Sequence, residues 1–213
     1  MLKALNKLRQ RNPGLVPPAP QFEDMLQAEL MGYYRSFQIL AAFDPRAGAW
    51  QPSPQRESLL ARALRERMEY ELERIFRLLA LLYPPQDVHN AFAGLTSQRP
   101  QLQANAVEVL EHLLRPELYR LLVYVVDPEV KLGEKLAFAQ RLCHTSVSSR
   151  AEALRVLLHS EDRWLRACAL HSVGELQVRE LSADVEQFAC HDDPLLEETW
   201  NWTSNRLAAA AAV

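Results

Sequence analysis

The sequence predicts an all-α protein. Two long N-terminal helices come first, and the helical hairpins that follow them stack into an α-α superhelix. The main observation is a repeat. Residues 161–176, EDRWLRACALHSVGEL, are followed 31 positions later by residues 192–207, DDPLLEETWNWTSNRL, in the same apolar register. The matching positions recur at offsets of 0, 3, 4, 7, 8 and 11, which trace one face of an α-helix. Glycine occurs only six times and β-branched runs are nearly absent, which favours helix over sheet.

Leucines at equivalent positions extend the repeat towards the N-terminus. The four anchors are Leu102, Leu132, Leu165 and Leu196, at spacings of 30, 33 and 31 residues. A period of about thirty residues is typical of one helical hairpin per repeat, and such hairpins stack into a solenoid. We therefore expect residues 84–213 to form about four hairpins with these leucines in the core. The predicted helix pairs are 86–95 with 101–114, 116–126 with 130–143, 148–158 with 162–176, and 178–190 with 194–212.

Proline marks several of the predicted helix starts. The first turn of a helix tolerates proline, because the missing N–H would have no partner there. The residues concerned are Pro100, Pro116, Pro128 and Pro194. In the same way, the polar run at 145–149 is expected to supply the N-cap of the helix that follows it.

Residues 21–83 predict a pair of long helices. One runs from residue 21 to residue 43. The other is expected to take Ser53 as its N-cap and Pro54 as its first residue, and to end at Leu82. That helix would be on the order of 43 Å long, at 1.5 Å per residue. Its apolar stripe requires a long partner, which the first helix provides.

Residues 1–20 predict a short amphipathic helix and a proline-rich linker. Leu2, Leu5 and Leu8 alternate with basic residues, and the break NPGLVPPAP follows. Such a helix is typical either of a membrane-surface anchor or of half of a helical hairpin, and we favour the hairpin. Because no partner helix precedes it, we expect an open end. The chain would then be a piece of a larger assembly and would self-associate in isolation.

The charge distribution argues against a nucleic-acid partner. Residues 84–213 contain 12 Lys+Arg and 18 Asp+Glu, so the repeat half is acidic, the wrong sign for a phosphate-backbone binder. The three cysteines do not form an even-numbered disulfide framework and indicate a reducing compartment. Residues 1–11, MLKALNKLRQR, lack the apolar core of a secretory signal. We expect a cytoplasmic protein without a membrane span.

The second helix of the clearest repeat resembles HEAT repeats. The residues that match the pattern are Asp162, Leu165-Arg166, Ala169, Gly174 and Leu176. In the next repeat Ala169 is replaced by Trp200 and Gly174 by Asn205, so the match is partial there. The resemblance covers about residues 86–213. It implies a HEAT-like α-solenoid, whose second helices line the concave surface.

Further segments are similar to a HEAT-like module of certain bacteria that follows a membrane domain resembling the ATP/ADP translocases of the major-facilitator class. The segments are KALNKLR (3–9), YELERIFRLLALLYPP (70–85), QANAVEVLEHLL (103–114) and PELYRLL (116–122). This resemblance implies that the chain starts in mid-repeat and lies at the cytoplasmic face of a membrane, attached to a parent membrane domain. The module has no catalytic residue to carry over.

Only one group of cysteine and histidine residues suggests a metal site. Its members are Cys143-His144, Cys168 with His171, and Cys190-His191. Cys168 lies on the apolar face of its repeat, where a thiol acts as a small hydrophobe, and adjacent Cys-His side chains diverge by about 100° on a helix. We therefore expect no metal or other cofactor. Among the tryptophans, Trp200 is expected in the core, Trp202 on the outside and Trp50 in a loop.

Three classes of function remain. The first, which we favour, is a non-enzymatic protein-interaction or scaffold module, because a solenoid offers an extended binding surface. The alternatives are a small-ligand or nucleotide sensor, and a HEAT-like enzyme resembling bilin lyases or alkylpurine DNA glycosylases. If second helices line the concave side, their polar residues form a ridge of mixed charge that suits a protein partner. This predicted ridge consists of Glu108, Glu111, Lys135, Arg163, Arg166, Glu197, Asn201 and Asn205.

Overall fold

All regular structure in the described part of the chain is helical, as predicted. The computed structural model describes residues 1–12, 18–44, 47, 57–97, 99–188 and 193–211. The N-terminal helices are α1 (Leu2–Arg11), α2 (Ala19–Phe43) and α3 (Leu59–Leu82). Helices α2 and α3, with 25 and 24 residues, are the predicted long pair.

The predicted start of α3 is too early. Glu57 and Ser58 are not helical, and the Ser58 hydroxyl accepts a hydrogen bond from the backbone N–H of Ala61 at 3.2 Å. Ser58 therefore provides the cap expected of Ser53, which lies outside the described residues, as does Pro54. Both serines precede an apolar stripe, so the pattern alone does not distinguish them.

Shorter helices follow from Pro85 onwards. Helices α4 to α7 are Pro85–Leu95, Pro100–Leu113, Pro116–Val126 and Leu132–Cys143. Helices α8 to α11 are Arg150–Leu158, Arg163–Leu176, Ser182–Glu186 and Pro194–Ala211. Pro100, Pro116 and Pro194 begin helices as predicted. Pro128 does not, because the Asp127 carboxylate accepts the N–H of Glu129 at 2.8 Å and forms a turn ahead of α7.

The predicted helix over residues 178–190 is wrong. A 3-10 helix at Arg179–Leu181 and the five-residue helix α10 take its place. The buried apolar residues here, Leu181 and Val185, span only one turn. Phe188 lies outside any helix, beneath the guanidinium of Arg166, 4.6 Å from the ring centroid. Phe188 therefore packs against Arg166 and does not continue the apolar stripe of the predicted helix.

The chain divides into two compact units. Unit 1 comprises Met1–Gln38, Arg46–Pro52 and Arg67–Thr145, and unit 2 comprises Ile39–Pro45, Ser53–Glu66 and Ser146–Val213. Each long helix contributes residues to both units. These units do not follow the predicted boundary at residue 84.

In unit 1, helix α1 has a partner that the sequence did not indicate. The Asn6 amide donates to the carbonyl oxygen of Arg77 at 3.0 Å, and Arg9 donates to that of Ala80 at 3.3 Å. Pro84 explains the second contact: it has no N–H to offer the Ala80 carbonyl four residues earlier, so Arg9 satisfies that oxygen instead. The N-terminal helix therefore packs on α3, and the expectation that it has no partner helix and leaves an open end is wrong.

The remaining helices of unit 1 pack in chain order. Helix α4 lies against α5, α5 against α6, and α6 against α7. Tyr34 of α2 is fully buried, and its hydroxyl donates to the carbonyl oxygen of Leu121 at 2.5 Å. Its ring meets the edge of Phe138, with ring centroids 5.4 Å apart. This contact joins the long helix to the hairpin α6–α7.

In unit 2, α8 packs on α9, α9 on α11, and α10 on α11. Within the described ranges, no helix combines the length and the apolar character that crossing a bilayer requires. The repeat register holds at Leu165 and Leu196, which are 4% and 2% exposed. It fails at Leu102 and Leu176, which are 42% and 46% exposed.

Candidate interaction surface

Helices α9 and α11, the second helices of the two clearest repeats, begin in the same way. The Asp162 carboxylate accepts the N–H groups of Trp164 and Leu165 at 2.9 and 3.1 Å. The Asp193 carboxylate, 31 residues later, accepts those of Leu195 and Leu196 at 3.0 and 3.3 Å. Aspartate at this position satisfies backbone donors at the helix start. The two caps confirm that the repeat seen in the sequence is a repeat of local structure.

Along their length, α9 and α11 approach closely because of Gly174. A methyl group at this position would lie 2.6 Å from the ring of Trp202 and 3.1 Å from the Cα atom of Thr203. Thr203 is fully buried, and its hydroxyl donates to the carbonyl oxygen of Leu170 at 2.8 Å. The glycine in the HEAT-like pattern therefore has a physical role here, since it allows the backbone of one helix to lie against the other.

Trp202 stacks on His171, the residue at the equivalent position of the previous repeat. The rings of His171 and Trp202 are nearly parallel, at 7°, with centroids 4.6 Å apart. The guanidinium of Arg206 lies 5.3 Å from the Trp202 ring centroid. Trp202 is nonetheless 37% exposed. The contacts fix the orientation of an aromatic side chain that water, or a partner, can still reach.

Trp200 has a different environment from the one predicted. It is half-buried rather than part of the core, and its indole N–H donates to the carbonyl oxygen of Val185 at 2.7 Å. This bond ties α11 to α10. Trp50, and the predicted pair Cys190-His191, lie outside the described residues.

Three residues of the predicted ridge lie on the outward face of α11. Glu197, Asn201 and Asn205 are all exposed, at spacings of four residues. Such spacing places them on one side of the helix. Trp202 lies next to them in sequence and is exposed as well. These four residues form what we call the α11 face.

The two arginines of α9 are held by neighbouring side chains. Arg163 is paired with the carboxylate of Asp193, the residue that caps α11. Arg166 is only half exposed and lies over Phe188. Arg166 is therefore a poor probe of binding, because a charge reversal there would remove a packing contact as well as a surface charge.

In unit 1 the structure separates the remaining ridge residues. Glu108 and Glu111 are exposed on α5, but Lys135 is only 3% exposed and does not lie on an exposed ridge. It shares the inward face of α7 with Ala139 and Cys143, at spacings of four residues. Burial lowers the pKa of Lys135, and the nearby Asp127 opposes that effect.

The two cysteines in the described ranges are buried and do not form a disulfide with each other. Burial raises the pKa of Cys168 to about 11, and burial also raises that of Cys143, whose thiol donates to the carbonyl oxygen of Met31 at 3.9 Å. A thiol with a raised pKa is a weak nucleophile and a weak metal ligand at neutral pH. Among the described residues, no three His, Cys, Asp or Glu side chains are placed to hold a metal ion.

A buried carboxyl group lies between the two long helices. Glu71 is 6% exposed, and one of its oxygens accepts hydrogen bonds from Ser36 at 3.2 Å and from Arg67 at 3.0 Å. Desolvation raises the pKa of Glu71, and the bonds from Arg67 and Ser36 only partly oppose it. A methyl group at Gly32 would lie 3.5 Å from the same oxygen, which is an ordinary van der Waals distance.

Unit 1 also contains a cavity that the sequence did not reveal. It has a volume of about 230 Å³ and lies among α1, α3 and α4. Its lining residues are Asn6, Glu73, Phe76, Arg77, Ala80, Pro85, Val88, His89 and Phe92. The residues from α3 and those from α4 each lie at offsets of 0, 3, 4 and 7, which is one face of a helix. That spacing predicts the two faces, but nothing in the sequence indicates that they meet each other and α1.

No protein-family model matches this chain, and no curated protein and no solved structure shows significant similarity to it.

Proposed function

We propose that this chain is a non-enzymatic protein-interaction module, built as a HEAT-like α-solenoid, that engages its partner through the α11 face. The observation that carries the proposal is the relation between α9 and α11. Two helices whose sequences repeat at 31 residues share the same cap, pack side by side and stack equivalent residues, His171 and Trp202. Side-by-side packing of equivalent elements is the basis of a solenoid.

The composition of the α11 face suits a protein partner. Its amide side chains, Asn201 and Asn205, offer donors and acceptors, and Trp202 offers a pre-oriented aromatic surface. Exposed aromatic residues with fixed orientation are frequent energetic centres of protein interfaces. The acidic balance of residues 84–213 disfavours a nucleic-acid partner. As part of the same proposal, the module is cytoplasmic and is linked to a larger assembly such as a membrane transporter.

Co-purification from the source cell tests this proposal. The test variant carries Asn201→Arg and Asn205→Arg, which place two bulky cations on the α11 face. The matched control carries Gln86→Arg and Asn90→Arg, which make the same change in charge at the same spacing on exposed positions of α4. We expect the test variant to lose at least tenfold of a partner that the wild type and the control retain. Equal recovery by both variants, with unchanged melting temperatures, would contradict the proposal.

The cavity in unit 1 favours a second candidate function, small-ligand sensing. A concave site with an apolar floor and a few polar groups is the usual form of a ligand pocket. A thermal-shift screen against nucleotides and small metabolites tests this candidate, because a ligand present at 100 times its Kd adds about 2.7 kcal/mol to stability. A screen in which no compound raises the melting temperature would argue against it.

A further inference from the structure

The floor of the unit 1 cavity is apolar. Phe76 and Val88 are 4% and 1% exposed, and the ring of Phe92 lies 4.9 Å from that of Phe76, tilted by 40°. Ala80 adds a small side chain to the same wall. An apolar surface of this kind favours the binding of a hydrocarbon group. It offers no hydrogen-bonding partner to a polar group.

The rim of the cavity carries both signs of charge. Arg77 and Glu73 form an ion pair one helical turn apart on α3, with side chains 23% and 38% exposed. The pair uses one nitrogen of the guanidinium and one oxygen of the carboxylate. The other N–H groups of Arg77 and the second oxygen of Glu73 remain available to a ligand. On the opposite wall, α4 places His89 at the cavity.

The volume limits the ligand to a small molecule. A cavity of about 150 Å³ holds benzene, which has six non-hydrogen atoms. By proportion, 230 Å³ holds about nine. Drug-sized ligands fill pockets of roughly 300 Å³ or more, so this cavity is smaller than a typical site for them.

We propose that this cavity binds a small zwitterion with an apolar side chain, an α-amino acid of about the size of leucine. Its side chain would lie on Phe76, Val88 and Phe92, its carboxylate would bind Arg77, and its ammonium group would bind Glu73. A simple anion meets repulsion from Glu73 and a simple cation meets repulsion from Arg77, so only a ligand with both charges satisfies the whole rim. This inference rests on the second candidate function, small-ligand sensing in unit 1, and is independent of the proposed partner surface.

Helix α1 closes one side of the cavity through Asn6. The Asn6 amide is already committed to the carbonyl oxygens of Leu2 and Arg77, at 3.1 and 3.0 Å. Both N–H groups of Asn6 are therefore unavailable to a ligand, and the side chain forms part of the cavity wall. A molecule lodged between α1 and α4 would stabilise α1 in its position on α3. Trypsin cleavage at Lys3, Lys7, Arg9 and Arg11 provides a readout of that effect.

Saturation-transfer NMR and calorimetry with L-leucine test the assignment, with two analogues that each lack one charge. 3-Methylbutylamine lacks the carboxylate, and 4-methylpentanoate lacks the ammonium group. We expect L-leucine to bind and to slow trypsin cleavage of residues 1–12, and both analogues to bind at least tenfold more weakly. An analogue that binds as well as L-leucine, or no binding of L-leucine at 20 mM, would overturn the proposal.

Two arginine variants locate the site. Arg77→Gln removes the guanidinium from the rim, and we expect it to weaken L-leucine binding at least tenfold. Arg74→Gln is the matched control, because Arg74 lies on the same helix but pairs with Glu29, which does not line the cavity. It should change the affinity by less than twofold. Equal affinities in the two variants, both folded by circular dichroism, would show that L-leucine binds elsewhere.

Discussion

At the scale of the residue, Gly174 makes the sharpest prediction. A methyl group at this position would meet both the Trp202 ring and the backbone of Thr203, and backbone atoms cannot rotate away. Overpacking of this kind costs about 1–3 kcal/mol, whereas replacing a helical glycine by alanine gains up to about 1 kcal/mol. We expect the clash to win, so Gly174→Ala should lower the free energy of unfolding, by up to about 3 kcal/mol.

Gly133 provides the control for this substitution. It also lies in a helix, α7, but a methyl group there would have no other atom within 4 Å. Gly133→Ala should therefore be neutral or stabilising, by up to about 1 kcal/mol. Urea unfolding of both variants measures the difference. If the two substitutions had the same sign, the close approach of α9 and α11 would not be as described.

Glu71 predicts a dependence of stability on pH. Burial raises the pKa of its carboxyl group above the ordinary 4.5, so the folded protein holds the proton over a range in which the unfolded chain releases it. The contribution of Glu71 to stability is therefore largest below the unfolded pKa. It is lost as the pH rises from that value through the folded pKa.

Substitution by glutamine removes this titration. Glu71→Gln should become more stable relative to the wild type as the pH is raised from 4 to 8, as measured by urea unfolding at each pH. The control is Glu69→Gln, an exposed position on the same helix, where the stability should stay within about 0.5 kcal/mol of the wild type. A difference between Glu71→Gln and the wild type that does not change with pH would contradict a raised pKa.

The sequence predicted some residues well and others poorly, for a physical reason. Leu165 and Leu196 could be placed in the core because a capped, periodic helix sets their direction. Lys135 was placed on the surface by its charge, although its spacing from Ala139 and Cys143 puts it on the buried face. Leu102 and Leu176 are exposed near helix ends, where fewer neighbours are present to cover an apolar side chain. Periodicity is a weaker guide at such positions.

At the scale of the element, the equivalence of α9 and α11 predicts equivalent energetics. Leu165 and Leu196 occupy the same position after the same aspartate cap, and both are buried. Truncation of a buried leucine to alanine costs roughly 2–5 kcal/mol. We expect Leu165→Ala and Leu196→Ala each to lower the free energy of unfolding within that range.

Arg163→Ala is the control for the leucine variants. Its side chain is 61% exposed and pairs with Asp193, so its loss should cost less than about 1 kcal/mol. Chemical denaturation monitored by circular dichroism measures the free energy of unfolding of all three variants. A cost at Arg163 equal to that at the leucines would mean that the register of α9 is wrong.

Element boundaries were predictable where a cap is local and unpredictable where it is not. Ser149 caps α8 by accepting the N–H of Glu152 at 3.1 Å. The polar run at residues 145–149, which ends at Ser149, predicts this cap. The partner of α1 could not be found in this way. Its contacts with Arg77 and Ala80 join residues 71 positions apart, and hydrogen bonds to backbone carbonyls leave no pattern in the side chains.

At the scale of the whole molecule, the helical fold followed from composition and periodicity, whereas the sites did not. The cavity of unit 1 draws on Asn6, Arg77 and His89, from three helices, so only their packing brings them together. Far-UV circular dichroism should give a helix content above about 60%, well over the one-third that is usual for globular proteins. A substantial strand component in that spectrum would contradict the fold.

Site-specific photo-crosslinking in the source cell tests most directly whether the α11 face binds a protein partner, as we propose. A benzophenone amino acid is placed at Asn201 or at Asn205, and at Asn90 of α4 as an exposed control. We predict a covalent adduct of discrete higher mass from both α11 positions and none from Asn90. The absence of an adduct at both α11 positions, or the same adduct from Asn90, would contradict partner binding at the α11 face.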